Sequence, residues 1–134
     1  SEYIINNKKE YYNILINVTE KDDWESMIYF MLDMVETTAK KGLTRLEEVI
    51  TLMEETAIMI KKTLPNAYSK DLIEILFKLP YTKRQFLIEA GLGNPKTSGN
   101  YLISLEEKGY LKSIKVGKEK LYLNYKLIEI LEKK

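Results

Sequence analysis

Apolar residues in the first half of the chain recur every three or four positions, which is the spacing of one face of an amphipathic helix. The first such pattern predicts a helix that begins at Asn7, where Glu10 would complete a capping box with the Asn7 side chain. The apolar positions of this helix are Tyr11, Ile14, Leu15 and Val18. The polar turn TEKDD, residues 19–23, then ends it.

A second and much longer pattern follows this turn, and Asp22 or Asp23 can cap its helix. Its apolar stripe comprises Trp24, Met27, Ile28, Met31, Leu32, Val35, Thr38, Ala39, Leu43, Leu46, Val49, Ile50, Met53, Ala57, Ile60 and Leu64. Gly42 weakens the helix by about 1 kcal/mol relative to Ala. We therefore predict one helix about 60 Å long, at about 1.5 Å per residue, with Gly42 as the place where it can bend.

The apolar stripe is too long for the short first helix to cover. It needs either more protein or a second copy of the chain, so a homodimer is one expected partner arrangement. Met and aromatic side chains at helical spacing are typical of a core, and they do not indicate a ligand pocket or a cofactor.

The second half of the chain has shorter elements. Three helices are predicted over residues 70–79, 82–90 and 95–108. Their start signals are Ser69 for the first, Thr82 with Gln85 for the second, and Asn94 with Pro95 for the third; their stop signals are Pro80, Gly91 and Gly109.

Two alternating segments, YLKSIKV and KLYLN, flank the turn GKE and predict a β-hairpin. In this hairpin Ile114, Val116, Leu121 and Leu123 are expected to face inward, and Lys115, Lys120 and Tyr122 outward. A last helix begins at Tyr125. The predicted fold is mainly α: a helical segment with one long helix, residues 1–67, and a winged helix-turn-helix domain, residues 68–134, with three helices, a two-stranded wing and a terminal helix.

Composition excludes several classes of chemistry. The 134 residues contain no Cys and no His, which rules out disulfides and thiolate metal sites and removes the commonest general base. Most enzyme chemistries are therefore not expected, and no catalytic, cofactor-binding or metal-binding residue is predicted in this chain. No apolar run approaches the roughly 18 to 20 residues of a membrane span, so no membrane partner and a cytoplasmic location are expected.

Charge is distributed unevenly. Residues 1–67 carry 8 basic and 12 acidic side chains, a balance of −4, whereas residues 68–134 carry 13 and 8, a balance of +5. This asymmetry fits a basic binding module attached to an acidic helical body, and it also fits a basic surface that is only solvated.

The third helix and the wing are the candidates for nucleic-acid binding. The candidate contact residues are Lys96, Thr97 and Asn100 on the helix and Lys115, Lys118 and Lys120 on the wing. Asn100 is the one strong candidate for reading a base edge, while Ile103 and Glu107 on the same helix face do not attract phosphate. The alternative is a winged helix used for packing or for contact with a protein.

The segment EYIINNKKEYYNILINVTEKDDWESMIYFMLDMVETTAKK resembles the region that follows the active site in Fic-family proteins. The resemblance rests on Tyr11, Tyr12, Asp23, Trp24 and Glu25 with the apolar positions after them, and it is strongest over residues 3–40. Many bacterial Fic proteins also carry a winged helix after this long helix, which extends the resemblance to residues 69–124.

The resemblance implies a parent protein that transfers AMP from ATP to protein hydroxyl groups with magnesium. The family's active-site loop has the form HxFx(D/E)GNGRxxR, but this chain has no His, and its pairs Gly93-Asn94 and Gly99-Asn100 lack the rest of the loop. The chain is thus expected to be the accessory C-terminal part of such an enzyme, inactive alone. The missing Fic catalytic core would be the partner of its long helix, and ATP and magnesium would be cofactors of the parent.

A rival interpretation makes the chain a self-sufficient winged-helix transcriptional regulator. In that case residues 7–64 would be a dimerisation arm, and the winged helix would bind DNA. A Fic motif encoded shortly before Ser1 would favour the accessory role over this one.

Overall fold

The computed structural model describes residues 1–133, and these form seven helices and three strands. The helices are α1 (Glu2–Asn6), α2 (Lys8–Lys21), α3 (Trp24–Thr63), α4 (Lys70–Lys78), α5 (Arg84–Glu89), α6 (Pro95–Glu107) and α7 (Tyr125–Glu132). The strands are β1 (Tyr81–Thr82), β2 (Lys112–Val116) and β3 (Glu119–Leu123). The predicted class, mainly α with a winged-helix arrangement at the C-terminal end, is confirmed.

Contacts along the chain divide it into two compact units, the first being Ser1–Leu46 and the second starting at Glu47. The predicted domain boundary after residue 67 stays a prediction. Nevertheless, Ile60 near the end of α3 is fully buried in the core of the second unit. None of the described helices combines the length and the apolar character needed to cross a lipid bilayer.

The beginning of the first unit differs from the prediction. A short helix, α1, precedes Asn7, and the Asn7 side-chain amide donates to the Tyr3 carbonyl at 2.8 Å. Asn7 makes no side-chain cap to α2, so the predicted capping box is wrong. The physical reason is that the hydrogen bond to the Tyr3 carbonyl of α1 orients the Asn7 side chain away from the first turn of α2.

The turn between α2 and α3 supplies the predicted cap. Asp22 takes the left-handed backbone conformation that ends α2, with φ of 57°. The Asp23 carboxylate accepts hydrogen bonds from the Ser26 backbone N–H at 3.3 Å and from the Ser26 hydroxyl at 2.8 Å. Asp23 is therefore the capping residue of α3. The long helix is confirmed and includes Gly42, at which a bend stays a prediction.

Aromatic packing holds the first unit together. Phe30 of α3 is only 3% exposed, and the rings of Tyr3 and Tyr11 lie with centroids 5.3 and 5.6 Å from its own. Ile14 of α2 is also buried. The face of α3 that carries Phe30 is thus the face that α1 and α2 cover.

The second unit is built around one apolar core. Its buried apolar side chains are Ile60, Ala67, Leu72, Ile73, Leu76, Leu87, Leu102, Leu105, Leu111 and Tyr122. They come from α3, α4, α5, α6 and the wing, so the end of the long helix is part of the structure that positions α6. Ser69, Asn94 and Asn124 each cap a helix with a side-chain oxygen, and for Ser69 and Asn94 this confirms the prediction.

The wing has a third strand that the sequence did not predict. The strand order is β1-β3-β2 with antiparallel pairing throughout, and Thr82 of β1 lies opposite Tyr122 of β3. Thr82 is buried rather than at a helix start, and α5 begins two residues later at Arg84 with no side-chain cap. The predicted helix start at Thr82 is wrong because pairing with a strand 40 residues away outweighs the local capping pattern.

The alternation of the wing is partly opposite to the prediction: Lys115 and Lys120 are exposed as expected, but the predicted placement of Tyr122, Ile114 and Val116 is wrong. Tyr122 is buried, whereas Ile114 and Val116 are 44% and 53% exposed. Residues directly opposite each other in an antiparallel pair share a face, so Ser113 and Thr82, which both pair with Tyr122, share its inward face. The aromatic ring of Tyr122 supplies more core contact than the smaller side chains of the other face.

Candidate functional site

The turn between α5 and α6 fixes the direction of α6. Gly93 has φ of 119°, and a Cβ atom at this position would lie 2.9 Å from Cγ2 of Thr97. Asn94 accepts a hydrogen bond from the Thr97 backbone N–H at 2.8 Å, and the buried Ser98 hydroxyl donates to the Gly93 carbonyl at 3.3 Å. Glycine is needed here because any other residue would be both strained and crowded.

The three predicted contact residues on α6 have different environments. Lys96 and Asn100 are exposed, while Thr97 is half-buried against the turn through its contact with Gly93. Thr97 therefore packs against the turn, and contact of Lys96, Thr97 and Asn100 with nucleic acid stays a prediction.

A cleft of about 420 Å³ lies between the start of α5, one side of α6 and the tip of the wing. Its lining residues are Lys83, Arg84, Gln85, Gly99, Leu102, Ile103, Lys118, Glu119, Lys120 and Tyr122. Four of these side chains are cationic, and among the described lining residues Glu119 is the one carboxylate. We call this feature the basic cleft.

Two cations of the basic cleft come from the α5 side and are held in place. The Lys83 ammonium lies 2.9 Å from the Glu119 carboxylate and 5.3 Å from the centre of the Phe86 ring. The Arg84 side chain runs beside Gly99 of α6, where a Cβ atom would lie 3.4 Å from Arg84 Cδ. The glycine thus leaves room for the arginine side chain against α6.

The other two cations come from the wing. Lys118 and Lys120 line the basic cleft, and together with Lys115 they also line a smaller cavity of about 370 Å³ on the wing. Lys115 pairs with Lys120 across the two strands. The structure therefore brings the three predicted wing lysines together, whereas Lys96, Thr97 and Asn100 are not among the described lining residues of the cleft.

The sequence prediction missed Lys83, Arg84 and Gln85. A usable signal was present in the stretch TKRQ, because two cations stand where a helix begins and its dipole disfavours positive charge. Residues that oppose local helix electrostatics often have a role outside the helix.

A hydrogen bond joins α6 to the wing beside this cleft. The Glu106 carboxylate accepts from the Ser113 backbone N–H at 2.6 Å. Hydrogen bonding from Ser113 is the main reason that the pKa of Glu106 is lowered, and attraction to Lys120 contributes less. Glu106 therefore stabilises the wing against α6 in its ionised form.

The first unit has an exposed apolar surface. Five large apolar side chains within residues 24–35 follow one side of α3 at helical spacing and are each more than half exposed; they are Trp24, Ile28, Met31, Leu32 and Val35. We call this surface the open face of α3. Single exposed apolar residues are ordinary, but five over three turns of one helix indicate a contact surface.

The two Gly-Asn pairs do not form a phosphate loop. Gly93 and Asn94 belong to the turn before α6, where the Asn94 side chain caps the helix, and Gly99 and Asn100 lie within α6. Among residues 1–133 no three acidic side chains are grouped as metal ligands. Within residues 1–133 neither Gly-Asn pair therefore belongs to a phosphate-binding loop, and the ATP and magnesium that the Fic resemblance implies for the parent stay an expectation.

A protein-family model matches part of the chain. Residues 52–127 match the family described as protein adenylyltransferase SoFic-like, C-terminal domain. The match spans more than half of the chain and includes the end of α3, every element from α4 to β3, and the start of α7. It confirms the Fic resemblance, on a stretch that lies outside residues 3–40. The chain belongs to the family of SoFic-like protein adenylyltransferase C-terminal domains.

Proposed function

We propose that this chain is the accessory C-terminal region of a Fic-type protein adenylyltransferase and has no transferase activity of its own. The parent enzyme would transfer AMP from ATP to protein hydroxyl groups. Family membership and the lack of His support this role. Both Gly-Asn pairs support it as well, because one forms the turn and cap before α6 and the other lies within α6.

The open face of α3 is the observation that carries this proposal. Fully burying one large apolar side chain stabilises a protein by roughly 1.5 to 3 kcal/mol, so leaving five of them in water forgoes a substantial stabilisation. The proposed partner is the catalytic core of the adenylyltransferase. The open face of α3 would pack against that core. The opposite side of α3 would be held by the ring contacts of Phe30 with Tyr3 and Tyr11.

Trp24 allows a direct test because it is the only tryptophan of the chain and lies on the open face. The chain would be labelled with 5-fluorotryptophan and titrated with the unlabelled catalytic core, and the fluorine resonance followed by NMR. A shift that saturates at one equivalent is expected. A resonance unchanged at excess core would contradict the accessory role.

Activity provides the second arm of this test. With labelled ATP, magnesium and candidate target proteins, the chain alone should transfer no label, because it lacks a base and a phosphate-binding loop. Adding the catalytic core should restore transfer. Stoichiometric labelling by the chain alone would overturn the proposal.

A second function is favoured by the basic cleft. We propose that the winged helix contacts the backbone of duplex nucleic acid through Lys96 and the wing residues Lys115, Lys118 and Lys120, with Thr97 and Asn100 at the helix start. Binding would be mainly independent of sequence, since α6 exposes Ile103 where a specific reader usually places hydrogen-bond donors. Contact with a protein is the alternative for the same surface.

Titration with a random-sequence duplex tests this function. Fluorescence anisotropy should show binding at low salt that weakens steeply as salt rises, with a slope of about −0.9 per phosphate contact on a log–log plot. Undetectable binding at low salt would leave the winged helix as a packing or protein-contact module.

A further inference from the structure

We propose that the basic cleft holds a phosphate group of the nucleic-acid backbone and that Glu119 competes with this phosphate for the cations of the cleft. This inference rests on the proposed binding of duplex nucleic acid. It adds Lys83 and Arg84 to the contact residues and assigns Glu119 a role that limits affinity.

The first step is the convergence of cations from two separate elements. Lys83 and Arg84 approach from the start of α5, and Lys118 and Lys120 approach from the tip of the wing. Cations usually repel one another, and a surface that gathers four of them around one concave space is suited to an anion. A phosphodiester group carries the charge and the acceptor oxygens that ammonium and guanidinium groups bind.

Arg84 is the best-positioned of these cations. Its side chain lies along Gly99 of α6, with Nη1 located 3.6 Å from the place where a Cβ atom of residue 99 would be. Packing against the helix backbone limits the freedom of a side chain that otherwise loses much rotamer entropy on binding. The guanidinium group thus lies beside α6.

The second step concerns Glu119. Its carboxylate accepts from the Lys83 ammonium at 2.9 Å, and the two side chains are 60% and 28% exposed. A partly exposed ion pair contributes little to stability, typically about 0 to 1 kcal/mol, so an incoming phosphate can replace the carboxylate at small cost. While Glu119 remains, it neutralises one of four cations and repels the phosphate.

The surroundings of the cleft favour a polymer over a free anion. Lys115 lies beyond the cleft on the wing, and Lys96 lies beyond it on α6. A single phosphate ion would use only the cleft cations, whereas a backbone with regularly spaced phosphates would use the outlying lysines as well. Inorganic phosphate and a random-sequence duplex are therefore the two probes that separate these sources.

The test compares charge-matched variants in the duplex titration. Glu119→Gln should tighten binding by about threefold to tenfold at low salt and by less at high salt, as expected for removal of a nearby like charge. Its control is Glu129→Gln, which removes the same charge from α7 and should change affinity by less than about twofold.

A second pair of variants tests the cations. Lys83→Gln combined with Arg84→Gln should weaken duplex binding about tenfold or more. The log–log salt slope should become less steep by the amount expected for the loss of about two phosphate contacts. The control combines Lys70→Gln with Lys126→Gln, two exposed lysines of α4 and α7 that are not among the described lining residues of the cleft. Thermal unfolding of every variant verifies that the fold is retained.

The outcomes separate the inference from the proposed function. If the chain binds duplex but Glu119→Gln behaves like Glu129→Gln, or the Lys83 and Arg84 variant behaves like its control, the inference fails and nucleic-acid binding stands. If neither the native chain nor Glu119→Gln binds duplex at low salt, the proposed function fails, and the inference with it. Displacement of the duplex by inorganic phosphate at micromolar concentration would show a free-anion site and overturn the backbone assignment.

Discussion

Asn124 and Leu76, 48 residues apart in the sequence, are joined by a buried hydrogen bond of 3.0 Å from the Asn124 side-chain amide to the Leu76 carbonyl. The Asn124 side-chain oxygen also accepts from the Leu127 backbone N–H at 3.3 Å, and its backbone N–H donates to the Pro80 carbonyl at 2.9 Å. One side chain at the end of β3 thus connects the end of α4 with the start of α7.

Asn124→Ala should destabilise the chain by about 2 to 3 kcal/mol, because it removes a helix cap and a buried hydrogen bond at once. Ser69→Ala is the matched variant, since it removes only the cap of α4, and it should cost about 1 kcal/mol. Urea unfolding measures both. Equal losses for the two variants would show that the bond to Leu76 adds nothing.

Local signals explain which elements the sequence predicted. Ser69, Asn94 with Pro95, and Gly109 act on the residues next to them, and each marks a helix end that the structure contains. Thr82 misled the prediction because its partner, Tyr122, lies 40 residues away. Local sequence carries no information about such a pairing.

The wing shows a second limit. An alternating strand has two faces, and the prediction placed Ile114 on the inward face and Tyr122 on the outward face from the alternation of apolar and polar positions around the turn GKE. The structure makes the opposite choice, as the core beneath the wing accepts the larger ring. Part of the candidate site was nevertheless predictable, since the predicted wing residues Lys118 and Lys120 line the basic cleft. Lys83 and Arg84 were not predicted, because only the tertiary fold brings the start of α5 next to the wing.

Gly93 and Gly42 should respond to alanine in opposite directions. Gly93→Ala is expected to destabilise the chain by more than about 1 kcal/mol, since the backbone there has positive φ and the new methyl would crowd Thr97. Gly42→Ala should stabilise α3 by up to about 1 kcal/mol, because it lies within the helix with open space around it. Thermal unfolding measures both signs, and stabilisation by Gly93→Ala would refute the strained turn.

The lowered pKa of Glu106 predicts a pH dependence of stability. A carboxyl group whose pKa is lower in the folded state contributes stability above its unfolded pKa of about 4.3, and this contribution is lost as pH falls through the folded value. The melting temperature should be measured at about pH 5 and about pH 3, which lie on either side of the unfolded pKa. Between these two pH values the melting temperature of Glu106→Gln should fall less than that of the native chain. Glu129→Gln serves as control, and identical pH profiles for all three proteins would contradict the role of Ser113.

The open face of α3 predicts self-association when no catalytic core is present. Sedimentation at high concentration should show a dimer or a larger species, because association would remove the exposed apolar surface from water. Ile28→Glu combined with Leu32→Glu should give a monomer with unchanged helicity. Thr44→Glu combined with Thr51→Glu adds the same charge at other exposed positions of α3 and should leave association unchanged. A native chain that stays monomeric would contradict this prediction and the dimerisation arm of a self-sufficient regulator.

Contacts with phosphates and contacts with base edges should have different effects on duplex binding. Changing Lys115, Lys118 and Lys120 together to Ala should weaken binding to every duplex by a similar factor and flatten its salt dependence, because these side chains would meet phosphates only. Asn100→Ala should leave average affinity nearly unchanged and reduce discrimination at one base pair by about 1 to 3 kcal/mol if its contact is bidentate. A selection of duplexes from a random pool, followed by titration of the best and the average sequence, measures both effects. Strong selectivity that survives Asn100→Ala would mean that another residue of α6 reads the bases, with Lys96 at the exposed start of the helix as the next candidate.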